Sequence, residues 1–169
     1  RHDLYVSCNL FCSQFFNTTL PGDIEQILLD TGLKPEHLRV ELTERALLEN
    51  TDIVLTNMKA LKQLGVKILL DDFGTGYSSL SYLHRFPIDV LKIDRSFITN
   101  VHEHENNKAI IKTIIDLASN LNMVTVGEGI ENSEDALLLH QMDCIYGQGF
   151  YYAKPMPANE MEQYIIANK

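Results

Sequence analysis

Long apolar runs are missing from this sequence. Nothing in it approaches the roughly eighteen consecutive apolar residues of a bilayer-spanning helix, and no signal peptide opens it, so the segment is expected to make no membrane contact. Basic side chains are outnumbered, with 14 Lys and Arg against 23 Asp and Glu and a formal net charge of −9. That balance argues against a nucleic-acid polymer or an anionic surface as partner, and a phosphate-bearing ligand would need a bridging cation. Cysteine is sparse: Cys8, Cys12 and Cys144 cannot all pair among themselves, and Cys8-x3-Cys12 lacks a second pair at zinc-site spacing. They read as free thiols in a reducing compartment, the cytoplasm, either alone or as the cytoplasmic part of a membrane-anchored protein. No Gly-x-Gly-x-x-Gly follows the first strand-like run, so a dinucleotide-binding open sheet is unsupported. No Ser/His/Asp or Cys/His arrangement stands out for nucleophilic catalysis. His102 and His104 sit among glutamates in a polar loop that reads as solvent-exposed.

What the 169 residues do contain, at 45% hydrophobic and 22% charged, suits one soluble domain with a sizeable core. Strand-like runs recur at 4–8, 38–42, 66–70, 88–93, 123–127 and 144–152. Helical patterns fall between them, near 22–30 after a Pro21-Gly22 turn, at 51–64, from Tyr77 to Leu83, and at 105–120, 132–141 and 157–167. Alternating β and α with apolar strands implies parallel pairing by right-handed crossovers. An open doubly wound sheet and a (β/α)8 TIM-type barrel both fit. About six βα units are visible where a barrel needs eight. A barrel lacking its first units accounts for that count and for a chain that opens within a strand, as a piece cut from something longer would.

The sequence is organised around Val66–Leu80. An apolar strand ends in Asp71-Asp72, and Gly74 and Gly76 then let the chain turn sharply before a helix resumes. Adjacent carboxylates repel unless a cation neutralises them or one stays protonated. The arrangement repeats: successive strands end in Asn9, Glu41, Asp71 with Asp72, Lys92 with Asp94, Glu128 with Glu131, and Gln148. Taken singly, each suits a cap, a turn or a surface position. In a parallel barrel, however, these ends converge on the face where active sites lie. Carboxylates and an amide oxygen are hard ligands for Mg²⁺, Mn²⁺ or Ca²⁺. A bridging Asp71 would hold two ions about 3.5–4 Å apart, the spacing that suits in-line displacement at phosphorus. Lys92, inside an apolar strand, must meet carboxylates if it points inward, where it would orient water or neutralise phosphate charge.

The motifs Asp-Asp-Phe-Gly-Thr-Gly-Tyr-Ser-Ser-Leu at 71–80, Leu-Lys-Ile-Asp-Arg-Ser-Phe at 91–97, Glu-Leu-Thr-Glu at 41–44, Gly-Glu-Gly-Ile-Glu at 127–131 and Gly-Gln-Gly-Phe at 147–150 resemble the signature set of EAL domains. These are bacterial phosphodiesterases that linearise cyclic di-GMP to pGpG on a TIM-type barrel with two divalent cations. The resemblance runs from about residue 4 to residue 157 and implies that 1–169 is the C-terminal part of a single such domain. It further implies Asn9, Glu41, Asp71, Asp72 and Glu128 as metal ligands for two Mg²⁺ or Mn²⁺ ions, with Asp71 bridging. Catalysis would fall to Lys92 and Gln148 at the attacking water, together with Glu128. Asp94, Gln148 and Phe150 would contact substrate, Phe150 against a guanine. Glu44 would anchor the loop after Asp72, and Glu131 would support the cluster or touch substrate.

Two departures stand out. The Glu-Ala-Leu signature and the Arg that follows it belong to an early strand that the sequence does not contain, so this polypeptide alone is expected to have little hydrolase activity. Gly127 stands where the family usually has Ala. Unpaired barrel edges would favour a homodimer or other self-association, and fusion to sensory or GGDEF-type domains upstream is expected. Two other classes of reading compete: a non-catalytic cyclic di-GMP receptor or interaction module, and a Mg²⁺ barrel enzyme with a lysine base acting on a carboxylate substrate.

Overall fold

A computed structural model describes residues 4–49, 51–75 and 83–167. Six strands form one sheet in chain order: β1 (Val6–Asn9), β2 (Leu38–Thr43), β3 (Lys67–Phe73), β4 (Val90–Ile93), β5 (Val124–Gly127) and β6 (Tyr146–Gly147). Every neighbouring pair is parallel. The order never reverses, which separates this sheet from the doubly wound alternative, whose strand order turns back at a switch point. It is the wall of an incomplete barrel.

Eight α-helices lie between and after the strands among the described residues: α1 (Cys12–Phe15), α2 (Leu20–Thr31), α3 (Glu44–Leu48), α4 (Thr51–Leu64), α5 (Arg95–Ile98), α6 (Glu105–Asn120), α7 (Ser133–Gln141) and α8 (Ala158–Ala167). Pro21, expected in a turn before the helix, occupies the first turn of α2, where its missing N–H costs no hydrogen bond, and Gly32 ends that helix at φ 68°. The short helices α1, α3 and α5 follow strand ends too closely to show a periodic pattern in sequence. The expected helix from Tyr77 to Leu83 falls largely outside the described residues.

Alternation along the strands sorts the side chains into two sets. Val40, Leu42, Ile68, Leu70, Leu91 and Ile93 are fully or almost fully buried in the main core, with Val54, Met58 and Leu61 of α4 and Ile111 and Ile115 of α6. The opposite positions carry a smaller apolar cluster, Leu69, Val90 and Val126, on the barrel's inner face. Two residues further along each of those strands stand Asp71, Lys92 and Glu128. The inner face is thus apolar in one layer and charged in the next, toward the C-terminal strand ends.

The last predicted strand, 144–152, is reduced to Tyr146–Gly147. Beyond it the backbone makes one more bond to the end of β5 and then turns to the loop that follows that strand. Gln148 N–H donates to the Gly127 carbonyl (2.8 Å), Ile130 N–H to the Gln148 carbonyl (3.1 Å) and Tyr151 N–H to the Ile130 carbonyl (3.0 Å). This close approach requires a glycine: a Cβ on Gly149 would lie 2.1 Å from the Ile130 carbonyl oxygen and 2.4 Å from its nitrogen. Gly149→Ala is therefore expected to destabilise the fold by about 1–3 kcal/mol, the range for overpacking. A denaturant midpoint unchanged by the substitution would contradict that contact.

Candidate metal and catalytic site

The site is built by strand register. Asn9 pairs with Glu41 and Thr43 with Asp71, while Lys92 pairs with Val126 and Gly127 with Gly147, so the polar ends fall at nearly one level. At its centre Lys92, only 5% exposed, places Nζ 2.5 Å from Glu41 Oε2, 2.6 Å from Glu128 Oε1 and 3.0 Å from Asp71 Oδ1. Burial alone would discharge this ammonium. Its hydrogen bonds to Glu128, Glu41 and Asp71 outweigh that and hold its pKa above the ordinary lysine value, so it stays protonated. The other oxygen of Glu41 accepts from the Ser7 hydroxyl. Ser7 is absent from the expected site residues, though its place two before Asn9, on the same strand face, signals it.

The register slips between Leu70 and Phe73, a bulge at which Asp72 takes φ 55°, and this presents two consecutive carboxylates at the strand end. Asp72 N–H donates to Asp71 Oδ1 at 3.0 Å. Asp71, Asp72 and Glu128 each offer an oxygen, all within 4.8 Å of one another. Burial and the repulsion of Asp71 and Asp94 raise the Asp72 pKa above the usual carboxylate range. Burial likewise raises Glu128, with Asp71 and Glu41 adding repulsion that Lys92 only partly offsets. Four carboxylates, Glu41, Asp71, Asp72 and Glu128, face one ammonium, a formal excess of three negative charges when all are ionised. An all-oxygen donor set with uncompensated charge and raised carboxylate pKa values fits hard divalent cations.

The remaining expected residues are placed as follows. Asn9 ends β1, exposed, beside Glu41 in register. Asp94 caps α5, accepting from Ser96 N–H at 2.9 Å. Glu131, Gln148 and Phe150 line a cavity of about 610 Å³ together with Arg95, Thr99 and Gly129. Glu44 is 8% exposed, and neither carboxylate oxygen has a hydrogen-bond partner among the described residues. The loop expected to meet it lies mostly outside them. His102, which reads as solvent-exposed in sequence, is half-buried: its Nδ1 lies 2.7 Å from Asp135 Oδ1, and Asp135 is 1% exposed. That pair ties the turn before α6 to α7 and lies apart from the cluster.

The sequence matches the EAL domain family over residues 1–155. The cyclic di-GMP phosphodiesterase PdeR of Escherichia coli is 36% identical over 96% of this chain and 24% of its own length. The solved structure of the PaMucR phosphodiesterase in complex with c-di-GMP superposes with a TM-score of 0.90 at 38% identity, covering 95% of this chain and 65% of that one. Klebsiella pneumoniae BlrP1, solved with manganese and cyclic di-GMP, gives a TM-score of 0.81 at 31% identity over 87% of this chain and 38% of that one. This chain spans about a fifth to a quarter of the length of the curated relatives it matches. No helix among the described residues is long and apolar enough to cross a membrane.

Proposed function

Because this chain belongs to the EAL domain family, we propose that it supplies most of the active site of a metal-dependent phosphodiesterase that opens cyclic di-GMP to linear pGpG. The observation that carries this reading is the gathering of Glu41, Asp71 and Glu128 on Lys92, with Asp72 beside them. Asn9, Glu41, Asp71, Asp72 and Glu128 would hold two divalent cations, Mg²⁺ or Mn²⁺. Such ions, when bound, make water acidic enough to attack at neutral pH and neutralise charge developing on the phosphate.

The chain's own residues do the rest. Lys92, kept protonated, has no lone pair with which to act as a base. It donates hydrogen bonds, and with Gln148 it orients the attacking water and faces the charge that grows on the phosphoryl oxygens. This disfavours the reading in which a lysine base removes a proton from a carboxylate substrate. Glu44 and Glu131 would brace the surrounding loops, and Asp94 and Phe150 would contact the dinucleotide. The share of its relatives that the chain covers supports a module of a longer protein, and we further propose a cytoplasmic location, self-association and fusion to sensory or GGDEF-type domains.

The test is hydrolysis of cyclic di-GMP by the full-length chain, meaning the longer protein in which these 169 residues would form a module, with Mg²⁺ or Mn²⁺ and with chelator. Metal-dependent release of pGpG is expected. Tight binding without turnover would instead make the domain a receptor.

A further inference from the structure

We infer that Asp135 is a positioning residue: from outside the carboxylate cluster it holds the loops after β4 and β5 side by side, and His102 makes that hold depend on pH. The inference rests on the cyclic di-GMP reading above and adds to it a residue that governs affinity without touching the ligand.

Asp135, in the first turn of α7, is 1% exposed, against 4% for Lys92, 6% for Glu41 and 8% for Glu44, the other buried charged residues among those described. A carboxylate this deep is tolerated only where hydrogen bonds replace the water it has lost. Oδ1 accepts from the His102 N–H at 3.3 Å and lies 2.7 Å from His102 Nδ1. Oδ2 accepts from the Asn100 N–H at 3.2 Å and from Asn132 Nδ2 at 2.8 Å. The Asp135 N–H in turn donates to Asn132 Oδ1 at 2.8 Å. At Asn100 the backbone is left-handed, φ 54°, a conformation that asparagine tolerates.

Asn100 and His102 lie in the turn between α5 and α6, and Asn132 closes the loop from Glu128 to α7. Asp94 caps the start of α5, and Glu131 directly precedes Asn132. One carboxylate thus ties together the far ends of the two segments that carry Asp94 and Glu131. Glu128 is held separately, by Lys92 and by the bond from its N–H to the Ile93 carbonyl at 3.1 Å. Loosening the tie should therefore cost affinity and spare the chemical step.

His102 brings a charge to the tie. The acids facing it are Asp135 and Glu134 of α7 and Glu103 of its own turn. Its bond to Asp135, aided by those charges, outweighs desolvation and holds its pKa above the ordinary 6.5. For Asp135, burial opposes ionisation, but the bonds from His102 and Asn132 prevail and hold its pKa below the ordinary 3.8. The histidine's contribution is complete below pH 6.5 and fades as pH rises through its raised pKa. The carboxylate's contribution is complete above pH 3.8 and fades as pH falls through its lowered pKa. The tie is tightest between the two.

The experiment measures KM and kcat for cyclic di-GMP with Mg²⁺, from about pH 5.5 to about pH 8.5, across the range in which a histidine titrates. It compares the full-length chain with Asp135→Asn and with His102→Asn, which keeps a donor but cannot take up a proton. At the acid end Asp135→Asn should raise KM about 2- to 30-fold, the range for residues that modulate binding without touching the ligand, while kcat holds. His102→Asn should raise KM less, and its curve should meet that of the unsubstituted protein at the alkaline end. Hydrogen-exchange protection of the Asn100 and His102 amides should fall with rising pH in the unsubstituted protein and stay level in His102→Asn. If Asp135→Asn does not fold, His102→Asn carries the test. A KM that Asp135→Asn leaves unchanged, a loss in kcat instead of KM, or parallel KM curves for His102→Asn and the unsubstituted protein would each overturn the inference and leave the phosphodiesterase reading intact. An unsubstituted protein that neither binds nor turns over cyclic di-GMP would overturn that reading, and the inference with it.

Discussion

Lys92→Ala in the full-length chain is expected to lower kcat for cyclic di-GMP by at least about 10²–10³-fold, the usual loss when one preorganised donor to a developing negative charge is removed. The same change should destabilise the metal-free protein by about 3–5 kcal/mol, the range for deleting one partner of a buried charge pair. The cause of both effects is the position of Nζ, which touches Glu41, Asp71 and Glu128 while only 5% exposed. Without it three carboxylates face one another across a buried space with nothing between them. The two effects separate experimentally. Mn²⁺ should restore much of the thermal midpoint of Lys92→Ala, because cations take over the neutralisation, but it should not restore kcat. Recovery of turnover together with the midpoint would reduce Lys92 to a structural counterion.

Asp72→Asn should abolish turnover, by about 10²-fold or more given the weight of a single misplaced group at such a centre, yet leave the metal-free fold as stable as before or more so. Asp72 is exposed, its carboxylate is disfavoured by burial of part of its surface and by Asp71 and Asp94, and its backbone sits at φ 55°. Asparagine keeps the side-chain shape, removes the repulsion and tolerates the left-handed backbone. Asp72→Ala also removes the charge but strains the backbone, and should cost about 1–2 kcal/mol relative to Asn. Thermal midpoints of the three proteins with chelator, and their Mn²⁺ titrations, check this. Asn should gain in midpoint and lose in metal affinity. A fall in the metal-free midpoint of Asp72→Asn would show that the carboxylate makes a stabilising contact, contrary to the electrostatics described above.

Much of the fold and of the site is legible without coordinates. The strand-end list Asn9, Glu41, Asp71, Lys92, Glu128 and Gln148 depends only on where apolar runs stop, and period-two alternation carries that list to one face of a parallel sheet. What escapes the sequence has either local or long-range causes. The bulge at Asp72 is hidden because a one-residue slip leaves no mark on hydropathy. The last strand reads too long, since Ile145 and the aromatic residues Phe150, Tyr151 and Tyr152 look like strand residues, while the hydrogen bonds of Gln148 and Tyr151 to the loop after β5 decide otherwise. Ser7 and the His102–Asp135 pair escape notice because their partners lie 34 and 33 residues away. The short helices α1, α3 and α5 span four or five residues, too few for a periodicity of 3.6 to declare itself.

Whether these carboxylates form one cation-binding centre is tested most directly by anomalous diffraction from crystals of the full-length chain grown with Mn²⁺. Such a centre predicts anomalous density among the carboxylates of Asp71, Asp72 and Glu128, lost from that position in Asp71→Asn. Manganese bound only elsewhere, with these oxygens contacting nothing but Lys92 and water, would contradict it.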